Sequence, residues 1–180
     1  MKSTLINSQA RSLVLLSALL QYPRSNYFDC LKAAEECLKD SGKALEYLGN
    51  FKKETAKYTP DQLDEIYTRS FDLAPLCIPY ISSYIYGNEN FERGALMSNL
   101  ADRYSEADYN TNGELPDHLA VILGFAEHFS RDELAELIEF CLSDAVGKMT
   151  EALKDADNPY FHLLQSIKEI IKQEGGRMPC

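Results

Sequence analysis

Thr59-Pro60-Asp61-Gln62-Leu63-Asp64-Glu65-Ile66-Tyr67-Thr68-Arg69-Ser70 is the stretch that decides the fold. Thr59 is an N-cap residue, and Pro60 suits the first helical turn, where its missing N–H leaves nothing unpaired. Gln62 sits where a capping box needs a side chain to reach back to the Thr59 N–H. Leu63, Ile66, Tyr67 and Ser70 then recur at helical spacing and predict a single inward face. The flanking chain repeats the pattern. Upstream, helices are predicted over about 8–21, ended by Pro23, over about 26–38, and over about 42–57, where Leu45, Leu48 and Phe51 share a face. Downstream, Ser130-Arg131-Asp132-Glu133 is a second capping box, opening a helix with Leu134, Leu137, Ile138 and Cys141 inward. Another helix is expected after Ser143 to about 154, and Asn158-Pro159 caps a last one to about 174.

The middle of the chain is harder to read. Pro75 and Pro79 bracket Leu76-Cys77-Ile78, and Ile81-Ser82-Ser83-Tyr84-Ile85-Tyr86 is rich in β-branched and aromatic residues. These could form a strand, but no nearby segment offers a partner, so a short helix starting after Pro75 is expected. Asn90 can cap the next helix, with Phe91, Leu96, Leu100, Tyr104 and Ala107 on one face. Asp108-Tyr109-Asn110-Thr111-Asn112-Gly113 reads as a loop. Pro116 is expected to open a helix whose buried side holds Leu119, Ile122, Leu123, Ala126 and Phe129. With no alternating strands and no internal repeat, the fold class is all-α: one compact helical-bundle domain over 1–180, with 175–180 as a frayed tail.

Composition bounds the function. A chain of 180 residues, 45% hydrophobic and 26% charged, can bury a core without disulfides or metal. The net charge of −10 opposes nucleic-acid binding and suits either a basic partner or simple solubility. Cys30, Cys37, Cys77, Cys141 and Cys180 form no CxxC pair and no disulfide framework, which points to a reducing compartment. Cys30 and Cys37 have a spacing that can turn both toward the core. The apolar run Leu13–Leu20 follows Lys2 and Arg11 and superficially resembles a secretory signal. It is short, however, and leads into Gln21-Tyr22-Pro23, a helix stop, with no cleavage site. It reads as the buried first helix of a cytoplasmic protein, and no stretch is long enough to span a membrane.

Chemistry concentrates in Glu114-Leu115-Pro116-Asp117-His118, which holds two carboxylates and one of three histidines. A metal site or an acid/base pair built on Glu114, Asp117 and His118 is one reading. Its geometry is poor: His128 falls almost three turns from His118 along one expected helix, and adjacent helical residues diverge. No nucleophile elbow, phosphate loop or dinucleotide fingerprint is present. A second reading is helix capping, with Pro116 in the first turn, Glu114 and Asp117 at the positive end of the helix dipole, and His118 bonded to a nearby backbone group. The third is a peptide groove. Of 11 tyrosines, Tyr58, Tyr67, Tyr80, Tyr84, Tyr86, Tyr104 and Tyr109 fall in the middle of the chain, where apolar bodies and polar tips suit a partly wet surface.

Four motifs in order carry a resemblance: Tyr67-Thr68-Arg69-Ser70-Phe71-Asp72-Leu73, Tyr84-Ile85-Tyr86-Gly87, Arg93-Gly94-Ala95-Leu96 and Glu114-Leu115-Pro116-Asp117-His118-Leu119. With Leu16–Pro23 they span roughly residues 10–170. The chain resembles the NarJ/TorD/DmsD group of molybdoenzyme assembly chaperones, and within it the nitrate-reductase, or NarJ, branch. The resemblance implies an all-helical TorD/NarJ-like fold with no catalysis and no cofactor of its own. The expected partner is the N-terminal, twin-arginine-like segment of an apo catalytic subunit, held until molybdopterin cofactor is inserted. The chaperone itself would be a monomer or a homodimer, since some relatives exchange helices. Tyr67, Phe71 and Asp72 match the first motif and Tyr86 the second, while Glu114, Pro116, Asp117 and His118 match the signature said to line or shape the peptide site. Asp117, Glu114 and Asp72 would attract basic residues, and substituting Asp117 and His118 together is expected to weaken binding without altering helicity. Two positions depart from the NarJ branch: Gly124 in Leu123-Gly124-Phe125 and Asn88 each replace a common acid. The client is left open among nitrate reductases and related oxidoreductases.

Overall fold

The computed structural model describes residues 2–23, 26–86 and 91–175, with side chains over 8–23, 26–86 and 91–173. Gly87, Asn88, the expected cap Asn90 and the tail beyond Gly175, with Cys180, lie outside the described residues. The protein is all-α. Helix α1 spans Lys2–Leu19, α2 Tyr27–Cys37, α3 Lys43–Thr55, α4 Pro60–Phe71, α5 Ser82–Ile85 and α6 Phe91–Glu106. They are followed by α7 Leu119–Gly124, a 3-10 turn Ala126–His128, α8 Arg131–Leu137, a π-helical turn Ile138–Leu142, α9 Ser143–Leu153 and α10 Tyr160–Gly175.

The last helix is the axis of the core. Leu163, Leu164 and Ile167 are fully buried, and α10 packs along α3 and against α9 and α1. Each buried leucine or isoleucine contributes about 1.5–3 kcal/mol. Two side-chain bonds lock the register: Gln9 Nε2 donates to the Ile170 carbonyl at 2.9 Å, and Ser166 Oγ to the Ala44 carbonyl at 2.8 Å. On its other side α1 packs against α2 and α7.

Local signals set most helix starts. Both capping boxes form, Thr59 with Gln62 and Ser130 with Glu133. Asn158 Oδ1 accepts the Tyr160 N–H at 2.9 Å and caps α10. The first helix begins at Lys2, several residues earlier than its apolar face suggests. No break separates α8 from α9: the Ser143 N–H reaches the Ile138 carbonyl, five residues back, so the chain widens into a π turn and stays helical. Cys30 and Cys37 are only half buried at the edge of the core.

Three expectations need correction. The short helix expected after Pro75 forms only over Ser82–Ile85, and the chain over 75–80 is not helical. It folds back on the end of α4, where the Leu76 and Cys77 N–H groups cap the Arg69 and Ser70 carbonyls, with Ala74 in a left-handed conformation at φ 49°. It then finds the pairing partner the sequence concealed. Tyr80 and His118 form an antiparallel bridge, flanked by Ile81 N–H to Asp117 O at 3.0 Å and Leu119 N–H to Pro79 O at 2.8 Å. That bridge also displaces the next helix start. Asp117 lies in a turn closed by the His118 N–H on the Leu115 carbonyl, and His118 is extended, so α7 begins at Leu119 with His118 rather than Pro116 at its entrance. His118 and His128 consequently share no helix. On α6, Leu100 and Tyr104 are buried as expected, but Phe91 is 94% exposed and Ala107 is exposed too.

Candidate functional site

A cavity of about 230 Å³ opens where α1, α4 and the 79–80 and 111–121 segments meet. The end of α1 supplies Gln21 and Tyr22. From α4 come Tyr67 and Phe71, four residues apart on its inward face, and Asp72 at its C-terminus. Pro79 and Tyr80 form the bridged wall, Thr111, Asn112 and Glu114 the loop, and His118, Ala120 and Val121 the start of α7. Tyr67 is held in place: its hydroxyl donates to the Leu20 carbonyl at 3.2 Å, and its ring meets Tyr22 edge-on at 5.3 Å and Phe71 at 5.4 Å. Behind them Tyr160, fully buried, packs against Phe71 at 5.0 Å and supports the lining rings without reaching the cavity.

Of the residues the sequence nominates, Tyr67, Phe71, Asp72, Glu114 and His118 converge on this cavity, and three do not. Asp117 is 0% exposed and lies behind the wall, its Oδ2 accepting from Ser82 Oγ, which also accepts from Arg93 Nε at 2.9 Å. Its burial means that substitution is expected to act on stability as well as on the site. Pro116 contributes a carbonyl that accepts from Tyr104 at 2.9 Å. Tyr86 ends α5 and is influenced by Cys141 and Glu92, which are not part of the cavity. Sequence reading missed Gln21, Tyr22, Pro79, Tyr80, Thr111, Asn112, Ala120 and Val121 as wall residues. The only hints were Tyr22 in the Leu16–Pro23 segment and Tyr80 in the tyrosine-rich middle. Gly124 has a packing reason: a Cβ there would collide with the Tyr109 hydroxyl and come within 3.3 Å of Ser17 Oγ. The space an acidic side chain would need is taken by Tyr109.

The electrostatics follow from burial beside acids. Burial, with the charges of Glu114 and Asp72, pushes the Tyr67 phenol up to about 12. Tyr80 is shifted upward by partial burial and by Glu114, Asp117 and Asp72. His118 is shifted downward, because burial outweighs the opposing pull of Glu114 and Asp117. Its Nδ1 accepts the Ala120 N–H at 3.1 Å, a bond that only the unprotonated nitrogen can make. Among the described residues no three His, Cys, Asp or Glu side chains are grouped as metal ligands. None of the described helices is long and apolar enough to cross a membrane.

The depressed His118 value predicts a pH dependence. The folded state binds fewer protons than the unfolded one, so this contribution is complete above the unfolded histidine value of about 6.5 and declines as pH falls toward the lower folded value. Urea unfolding at pH 7.5 and 5.5 should show a steeper acid loss in the parent than in His118→Asn, which keeps a capping acceptor but does not titrate. Equal losses would exclude His118 as the cause. His162, also lowered by burial, is common to both proteins.

The fold superposes on a crystal structure described as a redox enzyme maturation protein from Archaeoglobus fulgidus, with a TM-score of 0.61 and 19% identity over 92% of this chain and 94% of that one. The family model for the nitrate reductase delta subunit matches residues 34–165, and the chain belongs to that family. Among its relatives is the Bacillus subtilis (strain 168) protein described as a probable nitrate reductase molybdenum cofactor assembly chaperone NarJ, 28% identical over 90% of this chain and 89% of that protein. The Escherichia coli (strain K12) nitrate reductase molybdenum cofactor assembly chaperone NarJ is 26% identical over 69% of this chain, which spans 54% of the longer relative.

Proposed function

We propose that this protein is an assembly chaperone for a molybdenum-dependent oxidoreductase of the nitrate reductase type. It binds the N-terminal segment of the apo catalytic subunit and releases it once the molybdopterin cofactor is in place. The supporting observation is convergence: Tyr67, Phe71, Asp72, Glu114 and His118 come from two separated motifs and meet on one cavity. Apolar side chains adjoin it in sequence. Leu73, Leu76 and Ile78 follow Asp72, Leu115 follows Glu114, and all four are 40% or more exposed. A peptide lying across this surface would bury its apolar residues on the leucines and place basic ones near the two acids. The net charge of −10 adds long-range attraction for a cationic segment.

Isothermal calorimetry with a synthetic peptide of the client's N-terminal segment tests this. Replacing both acids, Asp72→Asn with Glu114→Gln, should weaken binding about tenfold or more, roughly 1.4 kcal/mol. The difference from the parent should shrink at high salt, where exposed charges are screened. Both acids are exposed, so the melting temperature should hardly change. Unchanged affinity in the double variant would rule out this site for the peptide.

A further inference from the structure

We infer that α6 positions the cavity wall: Arg93 and Tyr104, neither of which lines the cavity, hold the 114–118 segment in its ligand-ready place. This rests on the peptide-binding reading above and adds the residues that set the affinity from outside the site.

Pro116 and Asp117 lie between Glu114 and His118, which line the cavity, yet neither lines it themselves. Both are held from one helix. The Tyr104 hydroxyl donates to the Pro116 carbonyl at 2.9 Å. Arg93 Nε donates to Ser82 Oγ at 2.9 Å, and Ser82 in turn donates to the Asp117 carboxylate. Arg93 and Tyr104 are eleven residues apart on α6. That is about three helical turns, so the two side chains leave the helix on the same face.

Apolar packing alone fixes α6 weakly. Leu100 and Tyr104 are its only buried residues, while Ala95, Ser98, Asn99 and Asp102 on the other face are exposed. The ion pair of Arg103 with Glu133 at 2.8 Å is open to solvent and adds little. The helix therefore depends on its buried polar ties, and two of these end on consecutive residues of the wall. Losing either tie frees the backbone at 116–117. Glu114 is two residues from Pro116 and His118 is next to Asp117, so both follow that movement.

The sign of the Arg93 effect separates positioning from charge. The net charge is −10, and removing one more positive group strengthens long-range attraction for a basic peptide. Removing a positioning residue weakens binding instead.

Calorimetry with a synthetic peptide copying the N-terminal segment of a nitrate reductase catalytic subunit from the same organism tests this, with folding of each variant checked by circular dichroism. Tyr104→Phe removes one hydroxyl and keeps the ring that packs on Phe125 at 4.8 Å. Tyr104→Phe and Arg93→Gln should each weaken binding about fivefold, the worth of one hydrogen bond. Arg93→Lys keeps a donor for Ser82 and should recover part of the loss. Unchanged or tighter binding in Arg93→Gln overturns the inference. In the Tyr104→Phe background Glu114→Gln should cost less than in the parent, because that carboxylate is already displaced, whereas Asp72→Asn at the end of α4 should cost the same. Additive losses at both acids would leave Tyr104 a purely structural residue and overturn its positioning role. The free protein supplies a reading that needs no peptide. In NMR spectra Tyr104→Phe should move the ring signals of Tyr80 and His118 and leave Tyr22 in place. Wall signals that do not move overturn the positioning role. Wall signals that do move, beside a parent that binds no peptide, overturn the peptide reading instead.

Discussion

Replacing Tyr160 with alanine is expected to destabilise the protein by about 3–5 kcal/mol and to lower its melting temperature by roughly 10 °C. Tyr160 is fully buried at the start of α10 and touches three other rings: Phe51 at 5.6 Å, Tyr67 at 5.9 Å and Phe71 at 5.0 Å. Truncation removes a large apolar surface and leaves a void that α3, α4 and α10, fixed by their own packing, can only partly close. Two of those rings line the cavity, so peptide affinity should fall as well. Tyr160→Phe is the informative control. The hydroxyl is buried with no hydrogen-bond partner among the described residues, and burial pushes its ionisation well above the ordinary phenol value. Removing an unpaired polar group relieves its desolvation cost, so the phenylalanine variant should be as stable as the parent or about 1 kcal/mol more so. Thermal unfolding of both variants checks this, and a phenylalanine variant as damaged as the alanine one would refute the unpaired hydroxyl.

The second large effect is expected at Asp117, where alanine should cost about 3 kcal/mol. The carboxylate is wholly enclosed, and Ser82 links it to Arg93 on α6. Deleting it leaves the buried Ser82 hydroxyl without its acceptor and removes a link in the hydrogen-bonded chain to Arg93. Asn at this position keeps both the volume and an acceptor for Ser82, and should cost only about 1 kcal/mol. The damage should reach the peptide site indirectly. The Asp117 carbonyl accepts the Ile81 N–H beside the Tyr80–His118 bridge, and that pairing holds Tyr80 and His118 in the cavity wall. Urea midpoints measured beside peptide affinities distinguish the roles. A ligand-contacting Asp117 would lose affinity in the alanine variant at unchanged stability, whereas a wall-holding one loses both, and the asparagine variant recovers most of each.

The same residue shows where sequence reading stops. Asp117 and His118 are neighbours in a conspicuous acidic-histidine cluster, yet one is sealed behind the wall and the other faces the cavity. Asp117 sits in a turn closed on Leu115 while His118 is extended and paired with Tyr80, whereas a helix beginning at Pro116 would have spread the two side chains differently. The partner that holds His118 there is Tyr80, far away in the chain, and nothing in the local pattern announced it. Gly124 teaches the converse. As a departure from the NarJ branch it looked like a lost acidic contact, but it is the position that admits the Tyr109 ring system.

The sequence by itself determined the all-α class, both capping boxes, the inward faces of α3 and α4, and the family. Each rests on hydrogen bonds and spacings within a few residues, which any window of the chain displays. Only the tertiary structure decided that Tyr22, Tyr67, Tyr80, Glu114 and His118 share one space, that Tyr160 backs two of its lining rings, and that Asp117 supports the wall without lining the cavity. Those contacts join residues many positions apart. They form because α10, α3 and α1 must bury their apolar faces together, and the connecting segments then take the pairings that satisfy their remaining backbone groups.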